Sequence, residues 1–235
     1  MTTISSDLSQ PRLAAYTGVR ADIYNLVPLE ARRILDLGCS DGSLGRALKA
    51  QLAGREVTGV EFSAVLAQRA SGVLDKVLQC DLNDPLALVA LNGIKFDCVI
   101  CADVLEHLSH PEALLNSLKP YLASGARLVV SLPNIRHLSA LVSIFVNGTF
   151  ARRQRGIFDD SHLRWFTISD GRRLLSDAGF VVQRVNYTLR WGDQGGGRAN
   201  KLLIRGLSPI AHRLSLVREL LSYQFAMQAS LVTGA

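Results

Sequence analysis

The stretch Ile34 to Leu48 reads "ILDLGCSDGSLGRAL", an apolar run carrying an acid at Asp36, then Gly38, Gly42 and Gly45, then a second apolar run. A buried strand that enters a helix through a glycine-rich turn is the opening unit of an open α/β sheet. In such sheets ligands bind beyond the carboxyl ends of the strands, near the switch in strand order. Gly38 and Gly42 would let the backbone approach a ligand where a side chain would block it. The helix that follows offers free N–H groups. Dinucleotide binding calls for Gly-x-Gly-x-x-Gly. Here the spacing differs and Ser40 stands in the middle of the loop, which argues against a dinucleotide.

Outward from this turn, apolar strand-like runs alternate with helical patterns. RRILDLG (32–38) precedes a helix predicted at about 43–53, and REVTGVEF (55–62) precedes one starting near Ala64. VLQCDL (77–82) is followed by a helix near 85–92, and KFDCVICA (95–102) by a helix near 111–122, with Pro111 at its start and Gly125 past its end. ARLVVSLP (126–133) closes the series. Near-continuous apolar strands alternating with helices predict a parallel sheet covered on both faces. After Pro133 the rhythm breaks, and residues 134–167 read as an inserted cap within a single domain spanning 1–235. The rhythm returns with a helix near 169–178 and a strand near 180–189. A glycine cluster at 192–197 marks a loop, a helical stretch at 199–221 is expected to break between Gly206 and Pro209, and SYQFAMQASL (222–231) reads as a last strand.

The chain has 235 residues, 48% of them hydrophobic, enough for a sizeable core and against global disorder. No apolar run is long enough for a transmembrane helix. The start, MTTISSDLSQPRL, lacks a basic-then-apolar pattern, so a cytoplasmic protein is expected. The net charge of +6 is compatible with an acidic partner, but ARRQRG (151–156) is short and reads as a solvated loop, so nucleic acid is not the expected ligand. Cys98 and Cys101 form a lone Cys-x-x-Cys inside a strand. Their side chains should point to opposite faces, so they read as small buried thiols, and no metal site is expected.

Three acids follow three successive strands: Asp36, Glu61 and Asp81. Asp36 suits an amine or its water shell better than a pyrophosphate. Glu61 is placed to accept two ribose hydroxyls, and Asp81 an adenine amino group. At this point the chain resembles the class I S-adenosylmethionine-dependent methyltransferases of the small-molecule group. "LDLGCSDGSLG" is similar to that family's first motif, "GVEFS" to its second, and "CDL" to its adenine-contacting segment. "FDCVICADVLEHLSHPEALL" is similar to the fourth motif and "LKPYLASGARLVVSLPN" to the fifth. The resemblance covers residues 16–189 and departs at Ser40, where many members have glycine.

It implies a Rossmann-like seven-stranded, mostly parallel sheet in the order 3-2-1-4-5-7-6. Helices cover both faces, the last strand is antiparallel, and the cap follows strand five. It implies S-adenosyl-L-methionine as cofactor, held by Tyr16, Arg20, Asp36, Gly38, Cys39, Gly42, Glu61, Phe62, Asp81, Leu82, Cys101 and Ala102. Arg20 is a candidate partner for the methionine carboxylate. "GIFDDSHLRWFT" (156–167) resembles a subgroup associated with cell-surface glycan and secondary metabolism, which points loosely to a small or sugar-like acceptor.

Methyl transfer is an in-line displacement, helped for a hydroxyl acceptor by a general base. His162, preceded by Asp159 and Asp160, is the first candidate, as base or as a latch for the cap. His107, beside Glu106 after the fourth strand, is the second. His110 and His137 read as surface or loop residues. Phe150, Trp165 and Phe166 either wall a substrate pocket or pack the cap. The alternatives are an RNA or protein methyltransferase, disfavoured because no Asn/Asp-Pro-Pro-aromatic run follows the fourth strand, and a non-catalytic cofactor-binding partner subunit. LSALVSIFV (138–146) is compatible with cap packing, with a homodimer, or with a lipid surface.

Overall fold

The computed structural model describes residues 18–192 and 197–232. Tyr16 and most of the glycine cluster lie outside them. Seven strands form one sheet: β1 (Arg33–Leu37), β2 (Glu56–Glu61), β3 (Lys76–Gln79), β4 (Phe96–Ala102), β5 (Leu122–Pro133), β6 (Phe180–Leu189) and β7 (Ser222–Leu231). Their order is β3-β2-β1-β4-β5-β7-β6, with β7 antiparallel to both of its neighbours, as the resemblance implied.

The alternation of side chains along the strands splits the core in two. Leu35, Leu37, Val99, Cys101, Leu128, Val130 and Phe225 pack in one apolar cluster, and Ile34, Val57, Cys98, Ile100, Val129 and Ala226 in the other. Cys98 and Cys101 therefore fall in different clusters, both buried. Strand order reverses between β1 and β4, which pair Leu37 with Cys101. The crevice of an open α/β sheet lies at this point.

Four expectations need correction. The helix expected near 85–92 is a short 3-10 turn, Val89–Leu91. Asp84 Oδ1 accepts the Leu86 N–H at 2.9 Å, which competes with helix initiation, and only Leu88 and Leu91 are buried, the spacing of a three-residue turn. The fourth long helix stops at Ser117, and Gly125 lies inside β5 at φ 75, where the pairing with β4 slips from Phe96↔Leu122 to Cys98↔Arg127. The C-terminal helix Arg198–Arg213 runs through Gly206 and Pro209, and the break comes at Leu214. Residues 205 and 206 are exposed, so water can take the carbonyl that proline leaves unpaired. His137, read as a surface or loop residue, lies in the loop before Leu138–Leu141 but is buried rather than at the surface. Its Nδ1 lies 2.8 Å from Ser139 Oγ and its Nε2 2.9 Å from the Arg190 carbonyl.

The insertion after β5 has a small core of its own, in which Ala140, Ile157 and Phe158 pack with Tyr223 of β7. Phe150 meets Phe158 and Trp165 edge-on at 4.7 and 4.9 Å. Phe166 belongs to the main core, so these three aromatics pack rather than line a pocket. The final threonine of the His-Leu-Arg-Trp-Phe-Thr run is a helix cap. Thr167 and Asp170 form a capping box that starts Ile168–Asp177.

Candidate active site

A cleft of about 410 Å³ opens at the carboxyl ends of β1, β2 and β4. It brings together Arg20, Asp36, Gly38, Cys39, Glu61, Phe62, Asp81, Leu82, Ala102 and His107 from the sequence-derived set. Gly42, Cys101 and His162 are not among its lining residues. The reasons are local. Gly42 adopts φ 79 as the cap of Ser43–Gln51, and a Cβ there would meet Val73 Cγ2 at 2.6 Å, so its bareness serves helix packing. Cys101 points into the core on the other face of β4. Gly38 does border the cleft, at φ 71, but a Cβ on it would strike Val104 Cγ2 at 2.6 Å before it met a ligand.

The acids are held in different ways. Glu61 is 9% exposed, with Oε2 accepting the Ser40 N–H and Oε1 the Ser63 N–H, both at 2.9 Å. Burial still raises its pKa against these donors. Asp36 is buried, and burial together with the Glu61 charge pushes its pKa up to about 7. Asp81 lies two residues beyond β3 in an exposed loop rather than at the strand end, and its Oδ1 accepts the Asn83 N–H at 2.8 Å.

Sequence reasoning missed Asp103, which follows β4 and lines the cleft with φ 56. The rule that singled out Asp36 and Glu61, an acid where a strand ends, would have found it. Ser131 Oγ donates to Asp103 Oδ1 at 2.6 Å, and Gln224 Nε2 donates to the same oxygen. Arg20 is paired twice within the protein, to Asp22 Oδ2 at 2.7 Å and to Asp103 Oδ2 at 2.5 Å. Burial disfavours its charge, and the two carboxylates outweigh that and hold its pKa above the ordinary value. Ser40, at φ 53, and Asp103 are the non-glycine residues with left-handed backbone among those described, and both line the cleft. Such strain gathers at functional sites.

On the far side of β4, His107 Nδ1 lies 3.3 Å from the Ser161 carbonyl, and its ring meets that of His162 edge-on at 4.8 Å. His162 is buried behind it and donates from Nδ1 to the Ile157 carbonyl at 3.2 Å. Burial, then His107, lowers its pKa. The Glu106 carbonyl accepts the N–H groups of Leu163 and Arg164 at 2.9 and 3.2 Å, which fixes the insertion to the turn after β4. His110 is exposed beside Glu112.

Five carboxylates, Asp36, Asp41, Glu61, Asp81 and Asp103, line the cleft against one guanidinium, Arg20. That balance favours a cationic ligand and opposes a pyrophosphate. A family model described as a methyltransferase domain matches residues 12–185. The chain belongs to this methyltransferase family. It is thus a class I, S-adenosylmethionine-dependent member by family, as the motifs implied. Among similar curated proteins is a ubiquinone biosynthesis O-methyltransferase of Xylella fastidiosa (strain 9a5c), 34% identical over 149 residues, covering 61% of this chain and 59% of that protein. Another of the same name, from Psychrobacter arcticus, is 30% identical over 167 residues, covering 67% of this chain and 62% of that protein. The methyltransferase chain thus spans about three fifths of the length of these relatives. A crystal structure of a SAM-dependent methyltransferase from Archaeoglobus fulgidus shares the fold, with a TM-score of 0.60 at 20% identity, covering 96% of this chain and 94% of that one. No described helix of this methyltransferase is long and apolar enough to cross a membrane.

Proposed function

We propose that this chain transfers the methyl group of S-adenosylmethionine to a hydroxyl oxygen of a small acceptor. The observation that carries the reading is the acid-lined cleft, with Glu61 anchored at its floor by two backbone N–H groups and His107 at its β4 side. The residues fit the cofactor's chemistry. Glu61 keeps lone pairs beyond the two it has committed and accepts the ribose hydroxyls. Asp36 and Asp103 face the cationic amino-acid end, and Asp81 the adenine side. Arg20, already held by Asp22 and Asp103, positions Asp103 more than it offers itself to a carboxylate.

S-adenosylmethionine supplies a methyl group on a sulfonium that departs as a neutral thioether. The chain's part is to hold the acceptor oxygen in line and exclude water. His107 takes the acceptor's proton on its imidazole, which the Ser161 carbonyl, 3.3 Å from Nδ1, helps to orient. His162 acts behind it as a positioning residue.

Oxygen as the acceptor atom is supported by the two curated relatives, which are O-methyltransferases of ubiquinone biosynthesis. A phenolic acceptor is therefore the first to test, and a glycan-like one, suggested by the 156–167 segment, the second. The test is calorimetry with S-adenosylhomocysteine followed by turnover on phenols, sugar hydroxyls, an RNA and a protein. Binding with O-methylation of a small molecule supports the reading. Binding without turnover on any class supports the partner-subunit alternative, and turnover on RNA or protein alone overturns the small acceptor.

A further inference from the structure

Near the end of the insertion, a buried acid holds a turn that faces the cleft without lining the cleft itself. Asp159 is 2% exposed, and its Oδ1 accepts both the Ser161 N–H at 2.9 Å and the Ser161 hydroxyl at 2.5 Å. Its neighbour Asp160 is exposed. An aspartate that takes the N–H two residues on closes a local turn and fixes the peptides within it. The backbone braces the same turn. The Asp159 N–H donates to the Gly156 carbonyl at 3.0 Å, the Asp160 N–H to the Arg153 carbonyl at 2.7 Å, and the His162 N–H to the Asp159 carbonyl at 3.1 Å. Arg153 and Asp159 also form an isolated parallel bridge. The Ile157 carbonyl, just before the turn, accepts from Trp165 Nε1 at 3.0 Å and from His162 Nδ1 at 3.2 Å.

This turn aims one group at the catalytic side of the cleft. Ser161 borders the cleft, and its carbonyl lies 3.3 Å from His107 Nδ1, across 54 positions of sequence. A carbonyl can only accept, so this contact calls for a hydrogen on Nδ1 and orients the ring. Ser161 thus divides its polar groups between two partners. Its N–H and hydroxyl are tied to Asp159, and its carbonyl meets the imidazole.

We propose that Asp159 is a positioning residue for His107, acting through the Ser161 carbonyl. Asp159 pins Ser161, and the pinned carbonyl holds the imidazole at the angle from which it reaches an acceptor hydroxyl. The use of that angle in catalysis rests on the methyl transfer proposed above, whereas the orientation of the ring needs neither cofactor nor acceptor. Displacing a catalytic group by about 1 Å costs on the order of 10²-fold in rate, so the acid matters to the chemistry although it does not line the cleft. What Asp159 supplies is an oxygen at a fixed place rather than a charge. Asparagine at the same position keeps an oxygen for both Ser161 donors and removes the charge, which separates the two contributions.

The test compares Asp159→Ala and Asp159→Asn with wild type in the full-length protein. The first readout needs no substrate. Nitrogen–proton correlation spectra of the imidazoles report which ring nitrogen carries the hydrogen, with His107 assigned by the loss of its signals in His107→Asn. His107 should carry its hydrogen on Nδ1 in wild type and in Asp159→Asn, and should lose that preference in Asp159→Ala. The second readout is steady-state kinetics. Asp159→Ala should lower kcat by about tenfold or more with KM within about threefold, and Asp159→Asn should keep kcat within about threefold of wild type. Asp160→Ala, at the exposed neighbour, should match wild type in both readouts. S-adenosylhomocysteine affinity checks that the variants fold, and its loss in Asp159→Ala would make Asp159 a structural residue of the whole site and overturn the proposal. An unchanged His107 tautomer in Asp159→Ala overturns it too. So does an Asp159→Asn variant as impaired as Asp159→Ala, which would assign the effect to charge. A wild-type chain with the expected tautomer and no turnover would count against methyl transfer and leave the positioning standing.

Discussion

Glu61, at the end of β2, and Glu106, in the turn after β4, are both buried glutamates, and the fold treats them in opposite ways. Glu61 receives backbone N–H groups from Ser40 and Ser63, supplied by the turns after β1 and β2. Glu106 receives none, and burial, then the nearby Asp103, drives its pKa well above the ordinary value. The cofactor side of the site is thus organised by the sheet's own loops. The acceptor side is assembled from a turn and an inserted segment, and its central carboxylate has no partner within the described residues.

The largest effect expected from this contrast is on the acceptor side. His107→Ala should lower kcat by roughly 10²–10⁴-fold, with S-adenosylhomocysteine affinity near wild type. Steady-state kinetics with calorimetry on one preparation reads both, and a joint loss of affinity would erase the division between the two sides. His162→Ala should act more weakly through His107 and alter the acidic limb of the pH–rate profile, because it lies behind the lining residues.

Asp36 offers a sharper view of the cofactor side. Its folded-state pKa is about 7 against an ordinary 3.8, so between those values the unfolded chain has released a proton that the folded chain keeps. Stability should therefore fall as pH rises through that window, by on the order of 4 kcal/mol from this group. Urea unfolding of wild type and Asp36→Asn from pH 4 to 7.5 isolates it, and the variant should show the flatter profile. Parallel profiles would mean that Asp36 is ionised throughout.

Next in size, Glu61→Ala should weaken S-adenosylhomocysteine binding by about 2–4 kcal/mol, since the ligand's hydroxyls lose their acceptor. An affinity within threefold of wild type would remove Glu61 from the cofactor side. The smallest effect is at Ser40, whose φ of 53 suits glycine. Ser40→Gly should raise stability by no more than about 1 kcal/mol, read as a small rise in the urea midpoint.

The sheet was legible because burial on both faces leaves a continuous apolar signal. β6 and β7 lie at 180–189 and 222–231, the positions read from the sequence. The errors came where local polar chemistry or solvent competed with the pattern. The Asp84 turn replaced a helix, and an exposed helix passed through Pro209. At the site, acids following strands were readable one by one, and Asp103 would have been too. Glu106 and His162 were not readable as a pair, because 56 positions separate them and tertiary contacts, among them the backbone bonds to the Glu106 carbonyl, bring them together. Gly42 was assigned to the ligand when its neighbour is Val73, a contact that spacing alone does not reveal.

Asp103 takes a hydrogen bond from Gln224 on β7, and the Asp22 carbonyl takes one from Asn186 on β6 at 3.1 Å. The wall of the cleft is therefore closed by residues far apart in the sequence. During synthesis, β1 to β5 can pair as soon as they leave the ribosome, but the network around Arg20 and Asp103 waits until residue 224 has emerged. A nascent chain that stops short of β7 would carry Glu61 and the glycine turn without a finished site.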